Sequence, residues 1–198
     1  MIEIIKKNNS LPYKDFLEYY YDAIHAGQKN IEAVCISSFN HITEEVQSRY
    51  VNLKYIDNNE WIFFSNYESP KSIDFVSHPQ ISALFYWQNI DVQVRMKASI
   101  LKTDSNFSDL HFKNRDRKKN ALAISSNQSM RIGSYQEVKK NYLKIFNSKK
   151  ELKRPNHWGG FSFTPYYFEF WEGHKSRLNK RKIYTYINKK WKKDYLQP

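Results

Sequence analysis

Arginine, lysine, serine and glutamine side chains can together hold a phosphate-bearing ligand: a planar fork, a point charge, a hydroxyl and an amide. The sequence offers them as an ordered series: Arg49 and Lys54, Ser65 and Lys71, Gln93, Gln128 with Ser129, and Arg177 with Arg181 after Trp171. Each alone is more often a solvated surface residue, so only the joint order is informative. Other chemistries lack their signatures. The six histidines are far apart, with no HxH or HExxH spacing and no cysteine partner, so no metal site is expected. With five glycines there is neither a GxGxxG nor a GxxxxGK[ST] loop, so a nucleotide-like cofactor would have to be held by side chains.

The elements that must position these residues are mostly strands. Ser10 and Pro12, followed by Phe16, Tyr20, Ala23 and Ile24, predict a helix ending near Gly27, within an N-terminal helical arm of about residues 1–30. Strands are expected over 33–39, 46–56, 61–64, 81–87, 90–103, 160–171 and 182–187, with a hairpin turn at 57–60. Ser69 and Pro70 suit the first positions of a helix that His78-Pro79 stops, and such a helix start favours anions. Ser134 and Glu137 form a capping box. Strands dominate and no βαβ alternation appears, so the fold class is mainly β (α+β), an antiparallel barrel with peripheral helices. The 198 residues suit one domain.

Composition narrows the partners. Aromatic residues make up 17% and hydrophobic residues 40% of the chain, enough for a core. Cys35 is the single cysteine and lies in an apolar run, so a buried structural thiol is expected and no intrachain disulfide can form. No apolar run approaches ~18 residues, and the first residues lack a signal-like h-region, so no membrane partner and a cytoplasmic location are expected. A net charge of +12 raises nucleic-acid binding as a possibility, but the basic runs at 115–119, 149–154 and 189–193 match no reader motif. A solvated basic surface explains them better, with anionic small molecules second and nucleic acid not expected.

Several segments, in order, resemble the pyridoxamine 5'-phosphate oxidase family. They are Ser48-Arg49-Tyr50-Val51-Asn52-Leu53-Lys54, the run from Phe63 to Lys71 with Phe64 and Ser65, and Val92-Gln93-Val94. The second half adds Ser126-Asn127-Gln128-Ser129, His157-Trp158-Gly159-Gly160-Phe161, Glu169-Phe170-Trp171-Glu172-Gly173, Arg177-Leu178-Asn179-Lys180-Arg181 and the closing run from Trp191 to Pro198. The resemblance runs from about Ala33 to the last residue and implies a split β-barrel, a homodimer and FMN at the subunit interface. It places Arg49, Lys71 and Ser65 at the FMN phosphate, with Lys54 and Phe64 in the same flavin-binding segments. Gln93, Trp171 and Arg181 would address the isoalloxazine ring, and Gln128 with Ser129 would reach the flavin from the partner chain. Lys54 and Arg115 would hold a phosphorylated pyridine substrate, with Arg177, the catalytic candidate, and Asn179 near its ring. The reaction implied takes a hydride equivalent from the C4' carbon of pyridoxamine or pyridoxine 5'-phosphate to the flavin. Dioxygen then reoxidises the flavin, and hydrogen peroxide and pyridoxal 5'-phosphate leave.

The match has departures. Pro70 stands where the family commonly has the arginine of an Arg-Lys pair, His111 and Lys119 where it usually has tyrosine and serine, and Asn179 where it has the histidine of an Arg-Leu-His-x-Arg motif. Two other readings therefore stay open: an oxidase of another ring system, of the phenazine-biosynthesis type, and a flavin-binding protein without turnover. Retention of Lys54 and Arg115 favours a phosphorylated substrate.

Overall fold

Long alternating stretches form most of the barrel in the computed structural model, which describes residues 1–198. In chain order the elements are β1 (Glu3–Lys6), α1 (Leu11–His25), β2 (Ala33–Asn40), β3 (Glu45–Asn52), β4 (Tyr55–Asp57), β5 (Glu60–Asn66), α2 (Pro70–Ser77), β6 (Gln80–Trp87) and β7 (Val92–Lys102). Then follow α3 (Ser105–Asn114), α4 (Arg117–Ser125), α5 (Tyr135–Phe146), β8 (Trp158–Glu172), β9 (Lys180–Ile187) and β10 (Lys190–Leu196). The sheet order is β1-β4-β5-β8-β7-β6-β2-β3, with β9 on β8 and β10 on β9.

The 15-residue β8 is the axis of the sheet. Its first part pairs with β5, its last part with β9, and β7 runs beside most of its length. The β7 register shifts between Lys97 and Ala98, opposite Tyr167 and Pro165. Proline has no N–H for the ladder, so the strand bulges there. Every pair is antiparallel except β1 with β4, which is parallel, a departure from the all-antiparallel expectation.

On β6 and β7 alternate residues point inward: Ile81, Ala83, Phe85 and Trp87 on one, Val92, Val94, Met96, Ala98 and Ile100 on the other, all buried. The period of two puts them on one face. Helix α1 covers that face. Its Phe16 and Tyr20 are buried, and Phe16 meets Trp61 edge-on at 4.4 Å between ring centroids. Residues 1–30, expected as an arm, thus contribute part of the main core.

The strand expected over 46–56 is two strands. Fully buried Leu53 donates its N–H to Glu32 O at 2.9 Å, and Lys54 donates its N–H to Ile62 O at 2.8 Å. The chain changes partner at this bend, from β2 to β5, and one continuous ladder cannot serve both. Helices α3 and α4 were not anticipated. Each is opened by an aspartate at its N-cap: Asp104 accepts from the N–H groups of Asn106 and Phe107, and Asp116 from those of Lys118 and Lys119.

Candidate active site

The β3–β4 bend, the end of β5, the start of α2 and the α3–α4 pair surround a cavity of about 560 Å³. Strand β3 supplies Arg49 and the bend supplies Lys54. Phe64 and Ser65 come from β5, Pro70 and Lys71 from α2, His111 and Arg115 from α3 and its end, and Lys119 from α4. Gln128, Ser129 and Trp158 complete the wall. Five cationic side chains line this space (Arg49, Lys54, Lys71, Arg115 and Lys119), and no carboxylate does.

The cations fall into two groups. At one end Lys71, only 6% exposed, donates to Ser69 Oγ at 2.9 Å. Burial, with Arg49 adding to it, lowers its ammonium to about 8. Arg49 donates to Ser38 Oγ at 2.7 Å, and Ser38 in turn donates to buried Asp74 at 2.7 Å, so the carboxylate reaches the guanidinium only through a hydroxyl. Burial lowers the Arg49 pKa, with Asp74 opposing. Ser69 is the N-cap of α2 but its side chain caps nothing, because its hydroxyl donates to Asn66 O and receives Lys71. At the other end stand Lys54, His111, Arg115 and Lys119. Lys54 is 4.0 Å from Glu32, and the Arg115 guanidinium lies 4.8 Å from the Trp158 ring centroid. Gly159, in the His-Trp-Gly-Gly motif, has Tyr67 against its Cα, where any side chain would collide.

Gln128 is part of this same wall. Its Oε1 accepts from Ser65 Oγ at 3.4 Å and from the Asn66 N–H at 3.3 Å, with Ser129 beside it. Gln128 and Ser129, expected to reach the flavin from the partner chain, share this cavity wall with Arg49, Ser65 and Lys71 of their own chain. The physical reason is the α4–α5 connection, which runs back over β5 instead of outward.

Three other expected residues lie elsewhere. Gln93, Trp171 and Arg181 stand side by side across β7, β8 and β9 and line a second cavity of about 350 Å³ that shares no residue with the first. Sequence reasoning missed what holds Arg181. Glu169, two positions before Trp171 on the same face of β8, accepts from Arg181 Nε at 2.9 Å and Nη2 at 2.7 Å, from Tyr167 Oη at 3.1 Å, and from Arg95. Burial works to raise the Glu169 pKa, but the hydrogen bonds from Arg95 and Arg181 overcome it and hold the carboxyl below its ordinary value.

Arg177 and Asn179 line neither cavity. They sit in the β8–β9 connection, where Arg177 is in the left-handed region at φ 61° and donates its N–H to His174 O at 2.8 Å. The Asn179 Oδ1 accepts from the His174 N–H at 3.0 Å and closes this loop on itself.

A family described as the pyridoxine 5'-phosphate oxidase C-terminal dimerisation region matches residues 158–198. A pyridoxine/pyridoxamine 5'-phosphate oxidase of Christiangramia forsetii is 33% identical over 174 residues, covering 86% of this chain and 81% of that relative. The chain belongs to the pyridoxine/pyridoxamine 5'-phosphate oxidase family. Its fold is that of PhzG from Burkholderia lata 383, solved with tetrahydrophenazine-1-carboxylic acid, at a TM-score of 0.89 and 20% identity, over 97% of this chain and 100% of that one. A pyridoxamine 5'-phosphate oxidase-related, FMN-binding protein of Nostoc punctiforme has a TM-score of 0.76 at 12% identity, over 96% of this chain and 100% of that one. The expected split β-barrel of the oxidase family is thus the fold of this chain. The matched dimerisation region holds Trp171, Arg177, Asn179 and Arg181.

Proposed function

We propose that the protein is an FMN-dependent oxidase that converts pyridoxine and pyridoxamine 5'-phosphates to pyridoxal 5'-phosphate with dioxygen, releasing hydrogen peroxide and, from the amine, ammonia with the consumption of one water. The observation that carries this reading is the cavity lined by five cations and no carboxylate, with a cation group at each end. Cations gathered on one wall with no carboxylate among them repel one another until an anion arrives, and two separated groups suit two phosphates. Arg49, Lys71, Ser65 and the start of α2 hold the FMN phosphate, and Gln128 and Ser129 lie along its path. Pro70 removes one cation relative to the family's Arg-Lys pair but keeps the helix start. Lys54, Arg115, Lys119 and His111 hold the substrate phosphate.

FMN, when bound, would supply the redox chemistry, accepting a hydride equivalent from C4' and passing electrons to dioxygen. The chain's own task is to bind both partners ring on ring and keep them at reacting distance. Gln93, Trp171 and Arg181 address the flavin ring from the partner subunit, since their cavity shares no residue with the phosphate cavity of the same chain. Arg181, its charge balanced by Glu169, would be a preset hydrogen-bond donor toward the flavin ring. Arg177, in the same matched region, covers the substrate from that partner. The reading thus needs a symmetric homodimer with isologous contacts, and the 198 residues act as one unit in the cytoplasm. No helix is long and apolar enough to cross a membrane.

The test has three readouts on purified protein. About one FMN per chain is expected from a one-site protomer. Light scattering should give twice the 23.9 kDa chain mass. Pyridoxine 5'-phosphate should produce peroxide and pyridoxal 5'-phosphate in equal amounts. A protein that stays colourless with FMN while binding RNA at moderate salt would sink the reading. Flavin without peroxide would reduce it to flavin binding.

A further inference from the structure

We propose that His111, paired with the Tyr55 hydroxyl, is a specificity residue that meets the substrate phosphate as a neutral N–H donor and takes up a proton as the dianion settles. The inference rests on the reading of this cavity as the seat of a phosphorylated substrate. It concerns a position where the family usually carries tyrosine, which can donate a hydrogen bond but cannot accept a second proton near neutral pH.

The ring is fixed on its faces. It lies flat on Phe64, with centroids 3.7 Å apart and planes 8° from parallel, and Trp158 is nearly parallel at 6.2 Å. One nitrogen is used internally: His111 Nδ1 is 2.8 Å from Tyr55 Oη, its one hydrogen bond within the chain. With the Tyr55 hydroxyl donating to Nδ1, the neutral ring carries its proton on Nε2 and keeps that N–H for the cavity it lines.

The charges around it decide the protonation state. Lys54 faces it from the β3–β4 bend, Arg115 and Lys119 from the α3–α4 connection and α4, and Tyr55 from β4. Phe107 and Trp158, from α3 and β8, carry no charge. The nearby carboxylates are Glu32, which is spent on Lys54, and Glu3, felt by Tyr55. Burial, then Arg115, Lys54 and Lys119, lowers His111 to about 4, so it is neutral in the free protein at physiological pH. A bound phosphate dianion offsets those three cations and raises the ring's affinity for a second proton, which would sit on Nδ1 and be donated to Tyr55 Oη as that hydroxyl turns to accept. The sign follows. Between about 4 and the higher value in the complex, binding takes up a proton, and affinity for the dianion rises as pH falls until the phosphate itself titrates near ~6.

The experiment is calorimetry on the FMN-loaded protein with 4-deoxypyridoxine 5'-phosphate, which has no C4' hydroxyl to oxidise. Titrations at pH values from 6 to 8, in buffers of different ionisation enthalpy, count protons taken up per ligand bound. His111→Tyr keeps the ring stack and a donor, so it is the reference in which the ligand's own titration cancels. Wild type should take up more protons per ligand than His111→Tyr, the excess growing as pH falls from 8 to 6. His111→Phe, which removes the donor, should weaken binding about tenfold. Equal proton uptake by wild type and His111→Tyr, with both binding, overturns this inference alone. Failure of wild type to bind the phosphorylated ligand while FMN is held overturns the inference together with the phosphorylated-substrate reading.

Discussion

Two cavities of the barrel treat arginine in opposite ways. In the larger one, Arg49 and Lys71 have no carboxylate on the wall, and the nearest acid, Asp74, is reached through Ser38. In the smaller one, Glu169 is 5% exposed and accepts hydrogen bonds from both Arg95 and Arg181. The titration shifts follow this arrangement: burial wins at Lys71, whereas the arginines win at Glu169. A cation with its own counter-ion is a preset donor. A buried cation without one is strained toward neutrality and is relieved by an incoming anion. The first arrangement suits a neutral ring and the second a phosphate.

The largest test of this contrast removes Arg49. Losing a charge-assisted contact to phosphate costs about 1.5–3 kcal/mol, so Arg49→Ala should raise the FMN Kd roughly 10- to 150-fold. Flavin fluorescence quenching measures it. The apo protein should lose little stability, because Arg49 is half-buried and has no direct carboxylate partner. Lys54→Ala is the partner experiment and should raise KM for pyridoxine 5'-phosphate about tenfold with the FMN Kd unchanged. If both variants move only FMN binding, the cavity does not divide into two phosphate ends.

Glu169→Gln should act on the other cavity, and chiefly on stability. Removing a buried carboxylate leaves two arginines unpaired, but Arg95 and Arg181 are 46% and 27% exposed, so solvent screening reduces the loss to about 1–2 kcal/mol. Urea unfolding at pH 7 reports it. The Glu169 pKa is lowered in the folded state, so its contribution is present above the unfolded carboxyl pKa and is lost as pH falls through the lower folded value. The variant should lack that part of the acid dependence. A wild-type-like acid profile in Glu169→Gln would mean that the ion pairs hold little stability.

A smaller effect separates the cavities by pH. Lys71 sits near about 8 without a ligand, so FMN binding must restore its proton once the pH exceeds that value. Affinity should be level below about 8 and fall above it, and the fall should be absent in Lys71→Arg, whose guanidinium stays charged. An alkaline fall of the same size in Lys71→Arg would assign it to another group.

Much of this architecture was legible from residues with local rules. Asn58 takes φ 55° in the hairpin between β4 and β5, Pro70 opens α2, and the Ser134 hydroxyl accepts from the Glu137 N–H at 3.2 Å. Such signals need only near neighbours. Asp104 and Asp116 carry the same kind of signal for α3 and α4, but in a basic, weakly patterned stretch where no apolar period supports it. The division of the site was not legible, because it depends on long-range register. Trp171 lies opposite both Gln93 and Arg181 only once β8 is set between β7 and β9, and the role of Glu169 follows from the same register.

The smallest effect expected lies in the loop that joins β8 to β9. The sequence places Asn179 where the family has a histidine, a position expected to touch substrate. In the structure its Oδ1 instead accepts the His174 N–H, while Arg177 holds a left-handed backbone two residues earlier. A non-glycine residue at positive φ persists only when its surroundings fix it, and Asn179 is one of those restraints. A histidine at 179 would bring a ring that reaches differently, so Asn179→His should loosen the loop by the worth of one exposed hydrogen bond, about 0.5–1 kcal/mol. If Arg177 closes over the substrate, the KM for pyridoxine 5'-phosphate should rise about two- to fivefold, with the limiting rate of anaerobic flavin reduction unchanged. Asn179→Asp keeps an oxygen acceptor and should retain most of the wild-type KM. A large gain in the limiting reduction rate for Asn179→His would mean that charge at this position governs the chemistry, and the loop-closing role would then be secondary.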